Sequence, residues 1–168
     1  PTEEELTELK DAMPTVRDTW KFMGKTGNLP RLQKLFGGFP YAYASHKMEP
    51  EPILPALVDR CLKYATEKYP EFSWNGALVN LYVNGADCVG MHHDDEPNLN
   101  PTAPILSFSF GATRRFRIKA NPDHKTAIED SLTLDLKHDD LVVMGGKLQN
   151  GFKHGVPKTA KKVSWRMN

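Results

Sequence analysis

The sequence predicts an α+β fold that is mainly β: a β-sandwich or jelly-roll barrel with helices ahead of it. Three observations carry this expectation. From residue 77 onward, apolar and polar residues alternate in short segments, the period of strands with one buried face. Loops rich in Pro, Asn and Gly separate those segments, notably at 96–104, 120–130 and 145–151. An amphipathic helix precedes them. Many short strands at this spacing suit a sandwich or a jelly roll, and alternation alone does not choose between the two.

Taken in order, residues 3–12 suit a short helix, with Thr2 as its N-cap and Glu3, Glu4 and Glu5 in its first turn. A stronger helix is expected over 52–69. There Leu54, Leu57, Val58, Cys61, Leu62 and Ala65 follow helical spacing, and prolines crowd the first turn. The expected strands are 77–83, 105–110, 115–119, 131–136, 140–144 and 162–166. Leu132, Leu134 and Leu136, alternating with Thr133 and Asp135, show the half-buried pattern most cleanly.

The 168 residues fit a single domain, and 39% hydrophobic with 26% charged residues describes a chain able to build a core. The formal charge is +1, so any basic footprint for nucleic acid must be local. No apolar run approaches the ~18 residues of a membrane span. The N-terminal PTEEELTELK is acidic and amphipathic, unlike a secretory signal, so a nuclear or cytoplasmic monomer is expected. The chain lacks an initiator Met, which suggests a fragment or excised domain. Cys61 and Cys88 lack C-x-x-C spacing and read as reduced thiols.

The sharpest local feature is Met91-His92-His93-Asp94-Asp95-Glu96. On extended backbone, residues i and i+2 share a face, so His92 and Asp94 present an imidazole and a carboxylate together. His154, closing a strand-like segment, is the best third ligand. Two histidines and one carboxylate form the facial triad of non-haem Fe(II) oxygenases, which leaves coordination positions open for cosubstrate and O2. A lone H-x-D is a weak signal; its position between strands, the later histidine and Arg166 strengthen it. Zinc held by His92, His93 and His154 is an alternative, but adjacent histidines on opposite faces make poor geometry. His46, His124 and His138 read most simply as surface residues.

Asn80-Leu81-Tyr82, His92-x-Asp94-Asp95-Glu96, Pro104-Ile105, Ser107-x-Ser109-Phe110-Gly111-Ala112-x-Arg114, Asp140-Leu141-x-x-Met144, His154-x-Val156-Pro157 and Arg166-x-Asn168 together resemble the AlkB family, over about residue 20 to the end. The resemblance is closest to the animal homologues that repair alkylated nucleic acids. It implies a double-stranded β-helix (jelly-roll) core with N-terminal helices packed on it. The whole chain would be one dioxygenase domain: a nucleotide-recognition extension over 1–50, a supporting helix within 51–76 and the catalytic core over 77–168. His92, Asp94 and His154 would hold Fe(II). Arg166 would pair with the distal carboxylate of 2-oxoglutarate, where a planar guanidinium suits bidentate binding. Asn80, Tyr82 and Asn168 would complete that pocket by hydrogen bonds. The family pattern continues to a second arginine four residues after Arg166-x-Asn168, and this chain ends before it; truncation is the expectation.

On the substrate side, Phe22-Met23-Gly24-Lys25 followed by Pro30-Arg31-x-x-Lys34 resembles the hairpin finger of a duplex-acting homologue. Met23 would be the wedge that fills the stack when a base is flipped, with Arg31 beside the finger. Packing of Phe22 and Met23 in a core is the plainer reading. Tyr41 and Tyr43 would form an aromatic wall for the base, and core packing accounts for them too. Asp95 and Glu96 would accept hydrogen bonds from the base edge. Arg114, with Arg115, Arg117, Lys119, Lys153, Lys158, Lys161 and Lys162, would meet phosphates, as would any basic surface face.

The implied reaction is oxidative demethylation of N-alkylated bases in DNA or RNA with Fe(II), O2 and 2-oxoglutarate, releasing formaldehyde, succinate and CO2. Two other readings stay open: hydroxylation of a protein side chain at the same iron centre, and a nucleic-acid-binding module with a weakened site. The residues do not choose between DNA and RNA, single and double strands, or 1-methyladenine, 3-methylcytosine and 6-methyladenine.

Overall fold

Thr2 begins the first helix as the sequence predicts. Its hydroxyl accepts from the Glu5 N–H at 3.1 Å while its own N–H donates to Glu5 Oε2 at 2.7 Å, a reciprocal cap that satisfies two otherwise unpaired donors. In this computed structural model the described residues are 1–43, 46–121 and 131–168, and the side chains of Phe22, Tyr43 and His46 fall outside the description. Part of the expected 120–130 loop, with His124, therefore lies outside the described residues. The chain folds as two units, Pro1–Leu81 with Met167–Asn168, and Tyr82–Arg166.

The first unit contains α1 (Glu3–Asp11), β1 (Thr19–Phe22), β2 (Lys25–Asn28), β3 (Leu32–Gly37), β4 (Tyr41–Tyr43), β5 (His46–Met48), α2 (Ala56–Lys68) and β6 (Gly76–Tyr82) as far as Leu81. Leu6 and Leu9 of α1 and Leu57, Val58 and Ala65 of α2 are buried, and Arg60 ties α2 to Glu5 at 3.0 Å. α2 starts four residues later than its apolar spacing suggests. Pro55 stands as its N-cap with extended backbone, and the Ala56 N–H is met by Glu8 Oε2 at 3.0 Å. β3 and β6 pair antiparallel with Gln33 opposite Asn80. The C-terminus extends that pairing: Asn80 and Asn168 exchange backbone hydrogen bonds of 2.8 and 3.1 Å.

Alternation predicts no strand before residue 77, so β3 to β5 are additions to the expected fold, whereas the β1–β2 hairpin falls where the finger resemblance sets it, at 22–25. β1 and β2 form a hairpin that closes Phe22 on Lys25 through the two-residue turn Met23-Gly24. Both turn residues have positive φ, 48° and 74°, as a twist-matched hairpin turn requires. Gly27 lies against the Trp20 indole, where a Cβ would come within 2.8 Å of the ring.

The second unit holds β7 (Val89–His92), β8 (Ile105–Phe108), β9 (Phe110–Gly111), β10 (Arg114–Ala120), β11 (Ser131–Leu136), β12 (Leu141–Met144), α3 (Leu148–Gly151) and β13 (Phe152–Val156), and the chain closes through β14 (Arg166–Met167). An antiparallel sheet runs in the order β11-β10-β13-β7, and β12 pairs antiparallel with β8. β10 alternates as the sequence predicts: Arg114, Phe116 and Ile118 are buried, while Arg115 and Lys119 are exposed. Tyr82, Phe116, Ile118, Leu136, Met144 and Val156 form the core of this unit.

Three expectations need correction here. The 105–110 strand breaks at Ser109, whose N–H and C=O turn to Asp140 and Asp139, both at 2.8 Å. The 162–166 strand shrinks to Arg166–Met167, since the Trp165 carbonyl is taken by the Ala112 N–H at 2.9 Å and no ladder forms along 162–165. Within β11 only Leu136 is fully buried, and Leu132 is exposed, because β11 is the outer strand of its sheet.

Leu57→Ala removes a fully buried side chain between packed elements and is expected to destabilise the protein by about 2–5 kcal/mol. Ile53→Ala, at an exposed position, should stay within about 0.5 kcal/mol; urea denaturation of both variants checks the contrast.

Candidate metal centre and its surroundings

Strand pairing brings together two residues that lie 62 positions apart in the chain. β7 and β13 run antiparallel with His92 opposite His154, and their ring centroids lie 4.4 Å apart. Asp94, two residues beyond His92, turns its carboxylate to both: Oδ1 lies 3.4 Å from His92 Nε2 and Oδ2 3.2 Å from His154 Nε2. The ligating atoms of His92, Asp94 and His154 all lie within 4.8 Å of one another. Among the described residues this is the one group of three such side chains close enough to share a metal ion.

The ladder comes this close because of Gly155. A Cβ at that position would meet the Gly90 and Val89 carbonyl oxygens at 2.8 and 2.9 Å, backbone atoms that cannot step aside alone. Beyond His154 the register shifts before Val156, so the pairing is irregular where the ligands sit. His92 Nδ1 lies 2.9 Å from the Gly90 carbonyl. With the proton on Nδ1, that bond leaves the Nε2 lone pair for a metal. His154 is buried, with its ring 5.5 Å from the Phe116 ring.

Burial pushes the Asp94 carboxyl upward in pKa. The adjoining His154 and His92 rings outweigh it and hold the group well below the usual carboxylate range. Asp94 is thus an anion at any physiological pH, the form a cation needs. The donor set fits Fe(II): two neutral nitrogens and one carboxylate oxygen, with further positions left for exogenous ligands. His93, as expected, turns away; its Nδ1 lies 3.3 Å from the Phe152 carbonyl. The chain's pattern gave no hint of Gln149, in a stretch read as loop but forming α3. Its Oε1 accepts from the Asp94 N–H at 3.1 Å and so holds the backbone that carries a ligand.

Two buried arginines lie in the same unit. Arg166 donates to Ser109 Oγ at 2.9 Å and to the Leu136 carbonyl at 3.2 Å, while its buried Nε has no hydrogen-bond partner. Burial pulls its pKa down, yet an arginine keeps its charge, so an unmatched cationic donor is left inside the protein. A carboxylate-bearing ligand suits that donor. Arg114 is different. It is buried, and its guanidinium donates to the carbonyls of Asn84, Asp87 and Pro157 at 3.1, 2.7 and 2.8 Å. The phosphate contact expected of it does not match this position, since its donors brace the segments flanking the two ligand strands.

The remaining sequence-predicted residues fall as follows. Tyr82 belongs to the second unit's core, with the Arg114 guanidinium 5.7 Å from its ring centroid. Asp95 is exposed, and Glu96 is half-buried with an unpartnered Oε2. In the first unit, Met23 is 85% exposed at the hairpin tip, and Tyr41 is buried. Arg31 is buried with its Nε bonded to Asn80 Oδ1 at 2.7 Å. Tyr43 has no described side chain. Lys119, Lys158, Lys161 and Lys162 are exposed, as a basic surface requires. No helix is long and apolar enough to cross a membrane.

Gly155→Ala is expected to push β13 from β7 and weaken Mn(II) binding by at least about tenfold, a loss of roughly 1.4 kcal/mol. Gly90→Ala, where a Cβ meets nothing, should leave metal affinity unchanged; titration with Mn(II) measures both.

The sequence profile of the 2OG-Fe(II) oxygenase superfamily matches residues 5–168. The chain is 37% identical over 144 residues to the human alpha-ketoglutarate-dependent dioxygenase alkB homolog 3, covering 83% of this chain and 50% of that protein. It is 31% identical over 153 residues to the human DNA oxidative demethylase ALKBH2, covering 86% and 57%. The chain spans about half the length of the curated relatives it matches. The solved structure of OsALKBH1 superposes with a TM-score of 0.52 at 18% identity, covering 92% of this chain and 80% of that one, a likeness of fold. These relatives bear out the AlkB resemblance and the mainly β jelly-roll expectation. The chain belongs to the 2OG-Fe(II) oxygenase superfamily, whose cofactor and cosubstrate are Fe(II) and 2-oxoglutarate.

Proposed function

We propose that the chain carries out oxidative demethylation of N-alkylated bases, such as 1-methyladenine or 3-methylcytosine, in DNA or RNA. The observation that carries this reading is the His92, Asp94 and His154 cluster in a chain of this superfamily whose relatives are named for AlkB and for DNA demethylation. In this reading the three side chains hold Fe(II). Bound iron supplies the oxidation of a methyl carbon by O2, coupled to decarboxylation of 2-oxoglutarate to succinate and CO2. The methyl C–H becomes C–OH, and the resulting N–CH2OH adduct releases formaldehyde and restores the base.

The chain's own groups bind, orient and shield. Arg166, with its unpartnered Nε, receives a carboxylate of 2-oxoglutarate, and Tyr82, Asn80 and Asn168 add hydrogen bonds to that cosubstrate. Asp95 and Glu96 accept from the base edge; the buried, unpartnered Glu96 Oε2 supports this for Glu96.

The hairpin favours a nucleic-acid substrate over a protein one. Met23 places an apolar side chain in solvent at a tight turn, in a backbone region that costs a non-glycine residue on the order of 1 kcal/mol. Exposure and strain in one residue suit a wedge that enters a base stack, worth a few kcal/mol of unstacking when a base is flipped. Tyr41 and Tyr43 are proposed as the stacking wall, although Tyr41 is buried. A monomer acting in the nucleus or cytoplasm goes with this reading.

The test supplies Fe(II) and 2-oxoglutarate without oxygen, then O2 and a methylated oligonucleotide, and quantifies formaldehyde and succinate. Equal release of both, matching the loss of methyl groups and abolished in His92→Ala and Asp94→Ala, is the expected result. Unchanged 2-oxoglutarate consumption in either variant would contradict the metal assignment. Succinate without demethylation would point to another substrate, such as a protein side chain.

A further inference from the structure

We infer that Gln33 and Arg31 are positioning residues for cosubstrate binding, locking the side-chain amide of Asn80 so that it presents its NH2 group to 2-oxoglutarate. The inference rests on the reading that Asn80 binds that cosubstrate. Gln33 lies directly opposite Asn80 in the β3–β6 ladder, so the two side chains share a face. Arg31 stands two residues before Gln33, on the same side. Arg31 Nε donates to Asn80 Oδ1 at 2.7 Å and Gln33 Nε2 donates to the same oxygen at 2.8 Å. Both donors belong to buried residues.

The orientation of each amide follows from chemistry. An arginine Nε–H donates only, so the Asn80 atom facing it must be the oxygen. That oxygen accepts only, so the Gln33 atom facing it must be the NH2 nitrogen. Asn80 thereby spends its acceptor on two protein donors and keeps its own NH2 as the end available to a ligand. An asparagine without such a clamp can turn its oxygen outward at little cost and would then repel a carboxylate. The cosubstrate carries two carboxylates and a keto oxygen, all acceptors, so a fixed donor is the polarity it requires.

Two substitutions at Gln33 separate this role from packing. Gln33→Met keeps the volume and removes one donor, leaving Arg31 to hold the oxygen. Gln33→Glu keeps the shape and inverts the polarity: a carboxylate there repels Asn80 Oδ1 and draws the neighbouring Arg31 guanidinium to itself, so the amide loses both donors and turns its oxygen toward the ligand. Calorimetric titration of 2-oxoglutarate into the Mn(II)-loaded protein reads the effect without turnover. Gln33→Met is expected to raise the 2-oxoglutarate Kd about threefold to fivefold, as for one neutral hydrogen bond. Gln33→Glu is expected to raise it by at least about tenfold, with Mn(II) affinity within about twofold of the unsubstituted protein.

Asn80→Leu is measured alongside. If it leaves 2-oxoglutarate binding unchanged, the reading of Asn80 as a cosubstrate residue fails. If Asn80→Leu weakens binding while both Gln33 variants bind as the unsubstituted protein does, the clamp is overturned and the Asn80 reading stands. Equal weakening in the two Gln33 variants, tracking lost thermal stability, also overturns it. Should Gln33→Glu not fold, Gln33→Met decides alone, and an unchanged Kd overturns the proposal.

Discussion

The pairing of β7 with β13 is the constraint on which the chemistry depends. It sets His92 opposite His154, and nothing local in either segment holds those imidazoles 4.4 Å apart. The contact is made by backbone against backbone at Gly155, with no side chain between the strands. Once the ladder is in register, Asp94 reaches both rings from the residue just past the strand, and Gln149 fixes its N–H. Three groups that repel a nonpolar interior are then held together by one another. Removing Asp94 leaves the buried His154 without its carboxylate partner, a loss that buried polar groups tolerate poorly.

Charge burial is the second theme, and it appears in two forms. Arg114 has both terminal nitrogens engaged, by the carbonyls of Asn84, Asp87 and Pro157. Those carbonyls flank the segments leading into β7 and out of β13, so its charge is used to join two loops beside the ligands. Arg166 is equally buried but keeps a donor unmatched. A satisfied buried cation is a brace, whereas an unsatisfied one calls for an anion from outside. The distinction assigns opposite roles to two arginines that look alike in the sequence.

Much of the second unit was legible beforehand because period-two alternation is strong there. β10 and β12 appear within a residue of expectation, and β11 matches its expected bounds. His92, Asp94 and His154 were legible as chemistry, since H-x-D on extended backbone shares a face and only a later histidine was needed. The hairpin strands were harder to see. Thr19–Phe22 alternates over four residues alone, Lys25–Asn28 has no apolar residue, and their turn uses Met where Asn or Asp would announce it. Arg31 and Gln33 were invisible as a clamp because their partner lies 49 and 47 residues away across a ladder. Sequence spacing carries periodicity well and long-range side-chain bonds hardly at all.

In the proposed reading, His92, Asp94 and His154 hold one Fe(II) that leaves room for 2-oxoglutarate to chelate beside them. Anaerobic titration with Fe(II) and then 2-oxoglutarate, followed by visible absorption, tests it most directly. One iron per chain and a charge-transfer band that grows with 2-oxoglutarate to one equivalent are expected, both lost in His154→Ala. Iron binding that survives that substitution, or no band at saturating 2-oxoglutarate, would contradict it.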